Sequence, residues 1–174
     1  MKPIALIFVI LASLAPFASA RAPLKFDADF QQALAALPSI GTATIAPSKG
    51  KIVVVTFFAS WCPPCRWEFQ SLNTIRKKYS EADVSIIAVN WFEDWGKRDG
   101  GKRMQRFIKS TGPGFPLIVG NNDIINRFGA VDRIPTLFVF DRQGREAYSF
   151  IHLKGSKKMH VGTDELNRVI NTLR

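Results

Sequence analysis

From Lys51 to Phe58 the chain reads Lys-Ile-Val-Val-Val-Thr-Phe-Phe, a nearly unbroken β-branched and aromatic run. Runs of this kind belong to central strands buried on both faces. After Ala59-Ser60-Trp61 the period changes. Phe69, Leu72, Ile75 and Tyr79 recur every three or four residues, which predicts an amphipathic helix. Pro63 and Pro64 fall in its first turn, where a missing N–H costs least, so Cys62 stands at the helix N-terminus. Upstream, Phe26, Phe30, Leu34 and Leu37 predict a short helix.

The first twenty residues follow a different rule. Lys2 precedes an uncharged run from Pro3 to Ala20 with an apolar centre from Ile4 to Leu14, then Pro16 and the small-residue triplet Ala18-Ser19-Ala20. That is the pattern of a secretory signal peptide cleaved after Ala20. The apolar centre is well short of the ~20 residues a membrane-spanning helix needs. An uncleaved anchor over residues 3–20 is the alternative. The expected division is a signal peptide over 1–20, an N-terminal extension with a short helix over 21–46, and one domain over 47–174.

Composition agrees with a single globular domain: 174 residues, 47% hydrophobic and 22% charged. The 24 Lys and Arg against 14 Asp and Glu leave a formal charge of +10. Such a surplus favours nucleic acid, an anionic membrane face or acidic proteins. Export argues against nucleic acid. The basic clusters Arg76-Lys77-Lys78, Lys97-Arg98, Lys102-Arg103, Arg106 and Lys157-Lys158 also lack the aromatic interleaving of a single-strand platform. They read first as solvated faces, and next as attraction to acidic proteins or transient proximity to a membrane surface.

The chain has two cysteines, both in one turn: Cys62-Pro63-Pro64-Cys65. A bridge closing so short a loop restricts the unfolded chain little, so the pair is chemical rather than structural. At a helix N-terminus the unpaired N–H groups and the helix dipole stabilise an anion. The Cys62 thiol should therefore ionise below the ~8.5 of a free cysteine. Cys65, one turn on and more buried, can attack a mixed disulfide at the Cys62 sulfur and release product. Cys62 is read as the nucleophile and Cys65 as the resolving thiol.

The segment Phe58-Ala59-Ser60-Trp61-Cys62-Pro63-Pro64-Cys65-Arg66-Trp67-Glu68 resembles the active site of the exported TlpA/ResA-like thiol–disulfide oxidoreductases of the thioredoxin superfamily. The likeness covers residues 47–173. It implies an α/β, thioredoxin-like fold with a central mixed sheet flanked by helices. In it Asp83 to Asn90 form a second strand, Phe115 to Val119 lead to the next helix, and Ile124 to Phe128 lie in that helix. Arg133 to Gly144 then resemble the family's cis-proline strand and hairpin turn. Read physically, Pro135 cannot donate to a ladder and belongs at a strand's first position or in a turn. The resemblance makes it cis and facing the cysteines, with the Ile134 backbone pairing an extended substrate. Trp61, Pro63 and Pro64 join Ile134 and Pro135 as substrate-binding residues.

Three departures from the family pattern stand out. Thr56 occupies the place of the buried strand aspartate that assists proton transfer in thioredoxin. Glu68, six residues after Cys62, is the nearest acid and a candidate for that transfer, although on a helix it is expected to face solvent or pair with basic groups. Gln70 replaces a helix-kinking proline, and the upstream helix replaces a β-hairpin. The segment Trp91 to Arg103 leaves the second strand at the sheet edge that holds Cys62, so Trp91, Phe92 and Trp95 are candidate partner contacts.

The resemblance implies a reductase with no cofactor beyond its Cys62–Cys65 redox pair. It would be kept reduced by a membrane-embedded thiol donor and act on disulfides of exported, periplasmic proteins such as apocytochromes c awaiting haem. A disulfide oxidase or isomerase is the alternative, because two prolines between cysteines do not set the direction of electron flow. A copper-binding thioredoxin-like carrier would need His152 or His160 to join the cysteines. No second ligand pair lies at a recognised metal-binding interval, so no metal is expected.

Overall fold

A computed structural model describes residues 22–93 and 101–174. The predicted signal segment, its alternative as an anchor over 3–20, and Trp95 lie outside the described residues. Among the described residues no helix is long and apolar enough to cross a membrane. In chain order the elements are α1 (Ala28–Ala35), β1 (Ser39–Ile40), β2 (Ile52–Phe58), α2 (Pro63–Lys78), β3 (Val84–Asn90), α3 (Lys102–Thr111), β4 (Leu117–Val119), α4 (Asn122–Arg127), β5 (Thr136–Phe140), β6 (Glu146–Ile151) and α5 (Thr163–Thr172). One sheet orders the strands β1-β4-β3-β2-β5-β6. β2, β3 and β4 run parallel, while β5 pairs antiparallel with β2, β6 with β5, and β1 with β4. The sheet is therefore mixed and flanked by helices, as expected.

Period-two alternation along β2 divides the core. Ile52, Val54 and Phe58 face one apolar cluster with Phe69, Leu72 and Ile75 of α2, Phe107 of α3, and Leu166 and Ile170 of α5. Val53, Val55 and Phe57 face the other, with Phe30 and Leu34 of α1 and Ile124 and Ile125 of α4. Thr56 is in phase with Val54 and Phe58, so its side chain points toward α2. All seven residues of β2 are buried, which is why the sequence shows a run rather than an alternation.

The upstream helix forms as its periodicity predicts. Asp27 caps it by accepting from the Phe30 N–H at 2.9 Å. Phe30 packs on Phe128 with ring centroids 4.6 Å apart, and Phe26 on Phe140 at 5.2 Å. α3 went unrecognised as a helix: Lys102 and Arg103 open it rather than closing the preceding loop. Its one fully buried side chain is Phe107, and cations occupy much of the remaining surface. Neither β6 nor α5 was predicted as an individual element. β6 alternates without a strong apolar run, and α5 buries only Leu166 and Ile170.

The turn between β5 and β6 binds the N-terminal segment. The Phe26 N–H donates to the Gly144 carbonyl at 2.7 Å, and Gly144 has φ +76. A Cβ there would stand 2.2 Å from the Phe26 carbonyl oxygen. Both the left-handed backbone and the close approach require glycine. Gly144→Ala is expected to cost about 2 kcal/mol or more in urea unfolding. A loss under about 0.5 kcal/mol, the range of an ordinary surface change, would contradict this contact.

Candidate active site at the start of helix α2

Cys62 is the N-cap residue of α2 and Cys65 lies in its first turn. A helix start leaves four N–H groups without intrahelical partners. Here Pro63 and Pro64 bring none, and the Cys62 N–H goes to the Ala59 carbonyl at 3.1 Å. The remaining donor, the Cys65 N–H, points at the Cys62 sulfur at 3.2 Å. That donor and the positive helix end would both favour a thiolate on Cys62. The two sulfurs form a disulfide of 2.08 Å. Cys62 keeps 3% of its surface exposed and Cys65 none, so Cys62 is the more accessible residue of the pair.

The position of Glu68 corrects the sequence expectation. It does not face solvent. Its side chain is fully buried, and the Thr56 hydroxyl donates to one carboxyl oxygen at 2.5 Å while the Val161 N–H donates to the other at 3.3 Å. The carboxyl arrives from the helix and meets the central strand at Thr56. Burial pushes the Glu68 pKa up to about 7, although the bonds from Thr56 and Val161 and the Lys158 charge pull it back. Residues three apart on a helix are neighbours, so Glu68 stands one turn along the same face as Cys65. A legible signal existed. Cys65, Glu68, Phe69, Leu72 and Ile75 form one stripe at helical spacing, and Glu68 lies inside it.

Lys158 comes from the β6–α5 connection. Its ammonium bonds Glu165 at 2.6 Å and the Tyr148 hydroxyl at 3.3 Å, while that hydroxyl donates to Glu165 at 2.7 Å. The same connection provides the Val161 N–H. It therefore supplies one of the two hydrogen bonds and the positive charge that moderate Glu68.

The segment after β3 fastens onto the turn before Cys62, an arrangement that sequence reasoning missed. Glu93 accepts from the Ser60 N–H at 2.9 Å, from the Ser60 hydroxyl, and from Asn90 Nδ2 at 2.9 Å. Arg103 of α3 reaches the Ser60 hydroxyl at 3.1 Å and pairs with Glu93 at 3.7 Å. The Trp61 indole N–H donates to the Phe92 carbonyl at 2.8 Å. Trp91 is half-buried against the α1 and α4 core, and its ring lies 5.5 Å from that of Phe92. The parallel pairing of β2 and β3 brings both strand ends to one edge, and this explains why the segment lies here.

The Ile134–Pro135 peptide is cis, and Ile134 packs against both cores. The Pro135 carbonyl accepts from the His152 N–H at 3.2 Å. Pro63 is exposed and Pro64 half-buried. The His160 ring lies 5.8 Å from that of Trp67, and burial lowers its pKa. Among the described residues no group of three or more His, Cys, Asp or Glu is arranged to hold a metal ion.

The sequence profile of the Redoxin family matches residues 25–163. The thiol-disulfide oxidoreductase ResA of Geobacillus thermodenitrificans is 31% identical over 98 residues, covering 56% of this chain and 52% of that protein. The thioredoxin-like protein YneN of Bacillus subtilis is 28% identical over 102 residues, covering 59% and 57%. The matches thus span about half the length of these curated relatives. Among solved structures, StoA of Bacillus subtilis aligns with a TM-score of 0.59 at 21% identity, covering 76% of this chain and 92% of that one. A thiol:disulfide interchange protein of the thioredoxin family from Chlorobium tepidum aligns at 0.58 and 24% identity, covering 90% and 99%. The fold is thioredoxin-like.

The raised Glu68 pKa has a signed consequence for stability. Between pH 4.5 and about 7 the folded protein holds a proton that the unfolded chain releases. Its contribution is complete below the unfolded value and lost as pH rises through the folded one, a change of roughly 3 kcal/mol. Glu68→Gln should remove that slope, so that stability measured by urea at pH 5 and pH 8 falls less in the variant. Equal slopes in both proteins would contradict an ionisable, desolvated Glu68.

Proposed function

Because the chain belongs to the Redoxin family, we propose that it is an exported thiol–disulfide oxidoreductase working as a protein-disulfide reductase. The observation that carries this reading is the Cys62–Cys65 pair at the N-cap of α2, with Cys62 the more accessible residue. In the reduced protein the Cys62 thiolate attacks one sulfur of a substrate disulfide. A mixed disulfide forms, and the other substrate sulfur leaves as a thiolate. Cys65 then attacks the Cys62 sulfur, closing the pair and expelling the second substrate thiolate. Two electrons pass to the substrate, and the pair is its own redox centre.

Cys65 must lose its proton in a dry setting, and Glu68 is the group one turn away that can take it. A carboxyl poised near 7 is matched to that transfer at neutral pH. The substrate strand would lie along Ile134 and the cis Pro135, with Trp61, Pro63 and Pro64 bordering the nucleophile. The signal-peptide pattern of residues 1–20 supports export to the periplasm. The family likeness of the segment from Phe58 to Glu68 is the basis for proposing disulfides of exported proteins, apocytochromes c among them, as substrates and a membrane-embedded thiol protein as electron donor.

Cys65→Ser should trap substrate as a mixed disulfide on Cys62, visible as a reducible adduct by mass spectrometry, while Cys62→Ser should trap none. Adducts on Cys65 instead would reverse the roles of nucleophile and resolving thiol. Equilibration with dithiothreitol or glutathione tests direction. A potential near ~−270 mV or below supports reduction, and one near ~−120 mV supports oxidation.

A further inference from the structure

The large hydrophobic side chains left exposed among the described residues are Trp67, Val119, Ile151, Leu153 and Met159. Trp67, Leu153 and Met159 belong to one region, whereas Ile151 alternates with Phe150, which packs in the core with α2, and its side chain leaves the opposite face of the edge strand. Ile151 pairs across the sheet with Thr136, the residue after the cis proline. The next residue, His152, donates to the Pro135 carbonyl, and Leu153 closes a turn with the Ser156 N–H at 3.0 Å. Met159 adjoins His160, whose ring lies against Trp67 on α2. The apolar band thus runs from the cis proline along the β6–α5 connection to the helix that begins at Cys62. Apolar side chains gathered this way beside a reactive group mark a contact surface rather than scattered surface residues.

Cations outnumber acids around the band, and the neighbouring acids Asp132, Glu93 and Glu165 each pair with a cation. From Ile151 to Thr163 the chain carries Lys154, Lys157 and Lys158 and no acid. Lys158 pairs with Glu165, whereas Lys154 and Lys157 are exposed with no acidic partner among the described residues. In the first half of α2 the one acid is Glu68, which is buried, and Arg66 bonds Ser110 of α3 at 2.7 Å. α3 itself carries Lys102, Arg103, Arg106 and Lys109 and no acid. An incoming chain therefore meets apolar contacts flanked by cations on both sides of the cysteines.

We propose that this band is the docking surface for a disulfide-bearing protein whose segments beside its cysteines are acidic. Apolar residues of the partner rest on Trp67, Leu153 and Met159, and its carboxylates face Lys154 and Lys157 together with the exposed Lys102 and Lys109 of α3. Complementary charge of this kind raises the encounter rate and selects among partners. An anionic bilayer would satisfy the same two chemistries. The occupant must also bring a disulfide to Cys62, which a bilayer does not carry, so a protein is the better occupant. The proposal rests on disulfide exchange at Cys62 and holds for either direction of electron flow.

The test uses two synthetic disulfide-bridged peptides that differ only in flanking aspartates or flanking lysines. Reaction with the reduced full chain is followed as a second-order rate constant. At ~20 mM salt the acidic peptide should react at least ~10-fold faster, and the ratio should collapse toward unity near ~0.5 M salt. The double variant Lys154→Glu, Lys157→Glu should reduce the ratio severalfold, and Leu153→Ser should slow both peptides. Reading a ratio cancels any general loss of activity. Equal rates for the two peptides, or a ratio indifferent to the charge reversal, would overturn the proposal. So would phosphatidylglycerol vesicles that bind the protein and block both reactions. A chain inert to both peptides and to hydroxyethyl disulfide would instead remove Cys62 as nucleophile and defeat the underlying exchange reading.

Discussion

Helix α2 lies against a strand buried on both faces, so any polar group on its inner stripe must find its partners inside the protein. Glu68 is such a group. Desolvation opposes its charge, while the Thr56 hydroxyl, the Val161 N–H and the Lys158 ammonium favour it. The result is a carboxyl whose ionisation is finely balanced, one helical turn from Cys65. The acid lies in the layer between β2 and α2. A threonine on the strand is small enough to leave room for it and polar enough to bind it.

The start of the same helix faces the opposite problem. Its first turn must leave one sulfur reachable while holding the backbone firmly enough for the second to find it. Prolines at the first two helical positions restrict the backbone and leave the Cys65 N–H aimed at Cys62. Behind the turn, Glu93 gathers Ser60, Asn90 and Arg103, and Phe92 accepts from Trp61. Two strand ends, one helix and one turn are thereby joined next to the nucleophile. A preorganised site of this kind avoids paying ordering entropy when substrate arrives.

The two sides of the cysteines are built from chain segments far apart in sequence. The β6–α5 connection supplies Val161 and Lys158 to Glu68 from inside and Leu153 and Met159 to the surface. One connection thus bears on both the proton chemistry and the outer face of the site. Charge is segregated as well. Acids are absent from the exposed face of α3 and from the β6–α5 connection through Thr163, while Glu165 beyond it is occupied by Lys158 and Tyr148.

Much of this was legible in the chain. The buried run of β2, the helix after Cys62 and the upstream helix at Phe30 and Leu34 follow from periodicity, because a strand or helix facing a core must repeat its apolar residues at its own pitch. The placement of Cys62 at a helix start follows from Pro63 and Pro64 for the same local reason. What local pattern left undecided were contacts between distant segments. Glu68 looked exposed because charge usually is, although its place in the stripe from Cys65 to Ile75 argued otherwise. Its partners Val161 and Lys158 lie some ninety residues away, and only the packing of α5 and its connection against α2 brings them near. The Glu93 cluster likewise exists because β2 and β3 run parallel and end at one edge. Sequence determined the pitch of each element and the chemistry it carries. Tertiary structure decided which charges are desolvated and which neighbours they meet, because desolvation depends on everything packed around a group and not on the residues beside it in the chain.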